Sequence, residues 1–140
     1  MSKKSLNEKF LKSFLELDKV CCEKFGVASN GVTEYINRLN NAKFAPKRDE
    51  VLPRLVKYRN LRNRFAHEVN AIRKYGDLTK KDVKWVVSFN KTVNKKKDPL
   101  SKYLNKARKF VKKRKLGKLL LVVVVLEAAA VGGLLAAGVI

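Results

Sequence analysis

The chain has 140 residues, with 33 Lys plus Arg against 12 Asp plus Glu, a net charge of +21 at pH 7. That length fits one compact domain plus an appendage, and 46% hydrophobic residues excludes a chain disordered by composition. Two adjacent cysteines, Cys21 and Cys22, and a single histidine exclude a disulfide framework, a four-ligand zinc site and a multi-histidine metal centre within one chain. No metal or other cofactor is therefore expected. No early apolar run follows Met1-Ser2-Lys3-Lys4-Ser5, so no secretory signal peptide is expected. So much like charge repels itself and calls for an anionic partner.

Residues 1–93 read as helices. Ser5-Leu6-Asn7-Glu8 has the spacing of a capping box, and Leu6, Phe10, Phe14, Leu17, Cys21 and Phe25 follow at helical intervals. Cys21 belongs to that apolar face, which makes it a core residue with Cys22 chemically quiet beside it. Gly26 ends the helix. Val32, Tyr35, Ile36 and Leu39 mark a second helix that runs out before Phe44-Ala45-Pro46. A third begins near Asp49 and carries Leu52, Leu55, Val56 and Tyr58 into an arginine-rich stretch. Gly76 interrupts the chain, and Thr79-Lys80-Lys81-Asp82 opens a fourth helix with Val83, Val86, Val87 and Val93. Strand signals are nearly absent and the connections are short. The expected fold is all-α, a small antiparallel helical bundle.

Residues 94–118 hold 12 basic residues against Asp98 alone, a net of +11 that equals the net of residues 1–93, where 21 basic residues face 10 acidic ones. Asp98 is a good N-cap and Pro99 suits the first helical position. Leu100, Tyr103, Leu104, Ala107, Phe110 and Val111 then share one face, which describes a basic amphipathic helix. From Leu119 to Ile140 every residue is apolar or small except Glu127. As a helix this tract spans roughly 33 Å, enough for a bilayer core. A transmembrane helix over 119–140 is expected. Glu127 opposes it at a cost on the order of 2–3 kcal/mol, which the neighbouring Leu and Val residues offset. Lys112, Lys113, Arg114, Lys115 and Lys118 flank the tract and orient it, with the N-terminal part cytoplasmic at the cell membrane. These residues would lie on anionic headgroups, the basic helix acting as a juxtamembrane segment. An RNA-binding stripe is the rival reading, since charge alone does not separate the two polyanions. Small residues at Ala129, Gly133 and Ala137 would also permit close helix packing within the tract, although such spacing is ordinary in transmembrane sequences.

The only histidine closes the stretch Tyr58-Arg59-Asn60-Leu61-Arg62-Asn63-Arg64-Phe65-Ala66-His67. Cleaving RNA without a metal needs a base for the ribose 2′-hydroxyl, an acid for the leaving 5′-oxygen and a cation for the crowded phosphate. Histidine supplies either proton-transfer role near neutral pH, and arginine supplies a bidentate phosphate clamp. One histidine per chain cannot fill both roles at once, so a homodimer is implied. On an ideal helix Arg62 and His67 diverge by about 140° and converge only at a bend, a helix end or a dimer contact. Arg59, Asn63 and His67 share one face.

Arg62-Asn63-x-x-x-His67, with Ala66 before the histidine, resembles the R-x4–6-H signature of the HEPN superfamily. The resemblance covers about residues 5–95. It implies a four- or five-helix bundle that dimerises to bring two motifs into one cleft, as in metal-independent ribonucleases of toxin, defence or RNA-processing systems. Other members have lost activity and only bind nucleic acid or nucleotides. Carried over, Arg62 and His67 would be catalytic and Asn63 supporting. Independently of the resemblance, the charge of Arg59 and Arg64 beside them makes these two candidate RNA-binding residues. Two positions after the histidine stands Val69 and not the tyrosine of the subgroup paired with nucleotidyltransferase antitoxins, so that partnership is not implied. Two readings compete with a membrane-anchored ribonuclease. One is a non-catalytic single-pass adaptor that binds anionic lipid or RNA; the other is a structural membrane component that self-associates through its tail.

Overall fold

A computed structural model describes residues 2–114 of the chain, all helices and connections, with no strand among the described residues. Helix α1 spans Lys3–Phe25, α2 Gly31–Asn41, α3 Arg48–His67, α4 Ala71–Lys74, α5 Lys80–Asn94 and α6 Pro99–Arg114. The helical bundle expected from the sequence is present. Among the described residues no helix is long and apolar enough to cross a membrane. Lys112, Lys113 and Arg114 close α6, their side chains outside the described set. Lys115, Lys118, Glu127 and the proposed span over 119–140 lie outside the described residues altogether.

Helix α1 is the axis of the bundle and packs on α2, α4 and α5. It buries Asn7, Phe10, Phe14, Leu17 and Cys21, alternating steps of three and four that keep one stripe inward. It starts three residues earlier than the capping box at Ser5 would place it. Ser2 is the N-cap, its hydroxyl accepting from the Ser5 N–H at 3.1 Å. The same three-residue offset works at Ser2, and Lys3 and Lys4 are good helix formers, so the helix extends to the earlier cap. At the other end Gly26 adopts the left-handed conformation (φ 67°) and its N–H bonds the Cys22 carbonyl.

Helices α1 and α2 cross in very close approach at Gly31. A Cβ there would lie 2.3 Å from the Asp18 carbonyl oxygen and 2.4 Å from the Cys22 nitrogen, so only glycine fits. The Asp18 carboxylate accepts from the Val32 N–H at 2.9 Å and satisfies a donor in the first turn of α2. Helix α3 buries Val51, Leu55, Tyr58, Leu61 and Phe65. Pro53 lies inside α3 on its exposed side, where the missing N–H removes one helical bond near the start.

The one-turn helix α4 has no counterpart in the sequence reading. It is held by Asn7, fully buried, whose Nδ2 donates to the carbonyls of Ile72 (2.7 Å) and Tyr75 (2.9 Å). The capping box of α5 is present: the Thr79 N–H donates to Asp82 at 2.8 Å and the Asp82 N–H to Thr79 Oγ1 at 3.4 Å. The inward stripe of α5 is Val86, Phe89 and Val93. Val87, expected on the apolar face, is 40% exposed because it lies one residue off that stripe.

Asp98 caps α6 as expected, accepting from the Ser101 N–H at 3.2 Å. It is also completely buried, receiving the Tyr35 hydroxyl at 2.5 Å and the Ser101 hydroxyl at 2.7 Å. Tyr35 Oη in turn accepts from the Leu100 N–H, and Lys24 Nζ donates to Ser101 Oγ at 2.8 Å. The first turn of α6 is therefore part of the bundle core, with Leu100 buried, while Phe110 three turns on is 46% exposed. The core is rich in rings. Phe10 meets Phe14, Tyr58 and Phe65, and Trp85 stacks on Phe89 at 5.1 Å between centroids.

Candidate anion-binding site on the third helix

The second half of α3 holds every residue of the histidine motif, and its inward stripe decides where each one points. Tyr58, Leu61 and Phe65 face the core. Arg59 and Arg62, each one residue past a core position, are half-buried on the same flank, beside residues of α1 and α2. Asn63, Arg64, Ala66 and His67 are exposed.

A cavity of about 290 Å³ opens on that flank, lined by Arg59, Arg62 and Asn63 of α3, Phe14 and Asp18 of α1, and Asn30 and Thr33 at the start of α2. Three of the five residues singled out in the sequence thus meet in one place. Among the described residues neither Arg59 nor Arg62 belongs to an ion pair. Each holds only a neighbouring amide oxygen: Arg59 donates to Asn60 Oδ1 at 3.2 Å and Arg62 to Asn63 Oδ1 at 3.2 Å. Neutral acceptors of this kind do not cancel a guanidinium's charge; Asn60 Oδ1 takes the Nε and Nη2 donors of Arg59, whereas Arg62 commits only one terminal nitrogen and keeps its Nε–Nη2 edge for an anion. Asp18 is the one carboxylate in the lining, and one of its oxygens is already taken by the Val32 N–H.

The other two residues are elsewhere. Arg64 pairs with Glu68, Nε to Oε2 at 3.1 Å, and its guanidinium lies 5.4 Å from the Tyr75 ring centroid. It lines a separate cavity of about 570 Å³ with Lys3, Lys74 and Asp77. His67 is the last residue of α3 and is exposed outside the arginine cavity, about 140° around the helix and about 7.5 Å along it from Arg62. Glu68, one possible partner for the imidazole, is committed to Arg64. Among the described residues no three His, Cys, Asp or Glu side chains gather as metal ligands.

The framework behind the cavity is tied by titrating groups. Tyr58 donates to Asp82 Oδ1 at 2.7 Å, joining α3 to α5. Burial and that hydrogen bond push the Tyr58 hydroxyl up to about 12. Partial burial works to raise the Asp82 carboxyl, but the bonds from Tyr58 and Thr79 outweigh it and hold the group below its ordinary value. Cys21 is pushed up to about 12 by burial and then by Asp18, so it stays a thiol and not a nucleophile. Asp18, Asn30 and Thr33 were not singled out in the sequence. The Asn30-Gly31 pair is a visible helix-start signal, but nothing local says that this start faces the arginines of α3.

An all-α bundle with a cavity lined by two arginines that hold no ion pair among the described residues places the chain among small basic helical proteins. The chain matches DUF6548, a family of unknown function, over residues 8–127 and belongs to that family. The matched segment begins in α1, includes α6 and reaches Glu127 in the apolar tract. No curated protein and no solved structure matches the chain.

Proposed function

We propose that this chain is a membrane-anchored, HEPN-like protein that works on RNA as a homodimer and cuts it without a metal, in a toxin or defence role. The observation that carries the reading is the pairing of Arg59 and Arg62 with Asn63 in one cavity, both guanidiniums free of carboxylate partners, on the helix that ends at the only histidine. In this mechanism the arginines hold the scissile phosphate. His67 of one protomer takes the 2′-hydroxyl proton, and the 2′-oxygen attacks phosphorus. The partner's His67 gives a proton to the departing 5′-oxygen, leaving a 2′,3′-cyclic phosphate. The exposed position of His67 at the helix end leaves it accessible to a second copy. The apolar tract over 119–140 anchors the protein at the cell membrane with the bundle on the cytoplasmic side.

The test is cleavage of RNA in EDTA by the full chain in detergent. The expected result is product with cyclic-phosphate ends, reduced at least 100-fold (a loss on the order of 10²–10⁴ being usual for a general acid–base group) in His67→Ala. Equal cutting by His67→Ala overturns it. A second reading, a non-catalytic adaptor that binds RNA or anionic lipid, is favoured by the separation of His67 from the arginine cavity. It predicts no cleavage, and RNA binding lost in Arg59→Ala/Arg62→Ala but unchanged in His67→Ala.

A further inference from the structure

The connection between α2 and α3 presents Phe44 at 91% exposure, more than any other large apolar side chain among the described residues. The loop is built to hold it there. Ala42 and Ala45 on either side are buried, and Arg48 ties the loop to the end of α2 by donating to the carbonyls of Leu39 and Asn40, both at 3.0 Å. Lys43 and Lys47 flank the ring in sequence, and both are exposed. Lys47 and Pro46 line a groove of about 380 Å³ shared with Lys97 and Lys102, which puts the loop beside the start of α6. Lys106 and Lys109 follow Lys102 at steps of four and three, so they continue its face along α6, and both are exposed.

Among the described residues none of these six lysines is in an ion pair. Two carboxylates line the groove. Glu50 is exposed, while Asp98 is completely buried with its oxygens taken by Tyr35 and Ser101. The groove is thus mainly cationic, with exposed Asp49 and Glu50 at the start of α3 and Phe44 protruding from the adjoining loop.

We propose that this face docks on an anionic lipid bilayer, with Phe44 entering the interface and the lysines lying among the headgroups. It extends the membrane reading to the folded domain and does not require the apolar tract to span. The side-chain chemistry selects lipid over nucleic acid. The cations that line the groove or continue its face are lysines, hydrated point charges suited to a diffuse headgroup layer, and the nearby Arg54 guanidinium is held over the Trp85 ring. The groove's own large ring is unavailable for base stacking, because Trp85 lies against Phe89 at 5.1 Å and under the Arg54 guanidinium at 5.4 Å. Phe44 itself has no polar edge and would gain most by leaving water.

The test places an environment-sensitive fluorophore on the full chain as Phe44→Cys in a Cys22→Ser background, Cys21 being buried. Circular dichroism first checks that the labelled chain is folded. Vesicles of phosphatidylcholine, with and without phosphatidylserine, are then added, and sedimentation is read together with emission. The expected result is a blue shift, with quenching by nitroxide lipids, only where phosphatidylserine is present. Lys102→Gln/Lys106→Gln should weaken that response by roughly an order of magnitude or more. Sedimentation with either vesicle while the probe stays unshifted overturns the proposal and leaves anchoring by the apolar tract standing. A probe that shifts equally without phosphatidylserine, or only with single-stranded RNA, also overturns it, as does a chain that sediments with neither vesicle. The last result removes the anchoring reading as well.

Discussion

The molecule holds its positive charge in two ways, and each is fastened by a carboxylate–tyrosine pair of a different kind. The arginine cavity lies on α3, whose Tyr58 is tied to Asp82, a half-exposed residue in the capping box of α5. The lysine face runs from the α2–α3 loop onto α6, whose cap Asp98 is tied to Tyr35 with both residues at 0% exposure. Both pairs join a helix start to the ring of another helix, but only the second is closed off from water. A buried carboxylate is tolerated because the Tyr35 and Ser101 hydroxyls and the Ser101 N–H all donate to it. The contrast teaches that the attachment of α6 is the more costly of the two to disturb.

The largest expected effect follows. Asp98→Ala should cost about 3 kcal/mol in urea unfolding, because it strands the Tyr35 hydroxyl and the Ser101 donors in a dry core. Asp82→Ala should cost about 1 kcal/mol, on the scale of a broken capping box, since water can replace the carboxylate there. Equal costs would show that burial does not separate the two ties.

The part of this comparison that could be read from the chain was the local part. Asp98 as a cap, Thr79 with Asp82 as a capping box and Gly26 as a helix end are all signals within four residues, and the structure contains each. The histidine motif also falls at a helix end, because its arginine-rich stretch continues the third helical pattern to His67. What was hidden depends on distant pairings. Asn7 reads as a polar interruption of α1 and is in fact the clamp on α4, 65 positions away. Asp18 and Thr33 reach the arginines only because Gly31 lets two helices approach within backbone contact. Ser2 displaced Ser5 as the first cap because two caps of equal quality competed and the earlier one adds a longer helix.

Exchanging the two cations between the regions gives the next effect. Arg62→Lys should lower the affinity of the full chain for a short RNA by about tenfold, because a bidentate fork becomes a point charge. Lys102→Arg should leave both RNA and phosphatidylserine binding within about a factor of two, because headgroups offer no fixed fork to match. Fluorescence anisotropy at two salt concentrations reads both. If Arg62→Lys binds RNA as well as the wild-type chain, the cavity acts by charge alone and the distinction between the regions disappears.

The smallest effect is in the pH dependence of stability, and it acts at opposite ends of the scale. The Asp82 carboxyl is held below its ordinary value in the folded state, so the folded protein binds this proton more weakly than the unfolded chain. Its contribution is complete above about pH 4, the unfolded carboxylate value, and is lost as pH falls through the lower folded value. Tyr58 and Cys21 have the opposite sign. Both are raised to about 12, from ordinary values of 10.0 and 9.0, so each contributes stability that is complete below its unfolded value. That stability drains away as pH rises from about 9 towards 12. Urea midpoints measured across pH should therefore fall at both ends, and Asp82→Asn should flatten the acid limb. Tyr58→Phe should flatten the alkaline limb only in part, because Cys21 still titrates there. An acid limb unchanged in Asp82→Asn would show that ionisation of Asp82 contributes nothing to the packing of α3, and with it the arginine cavity, against α5.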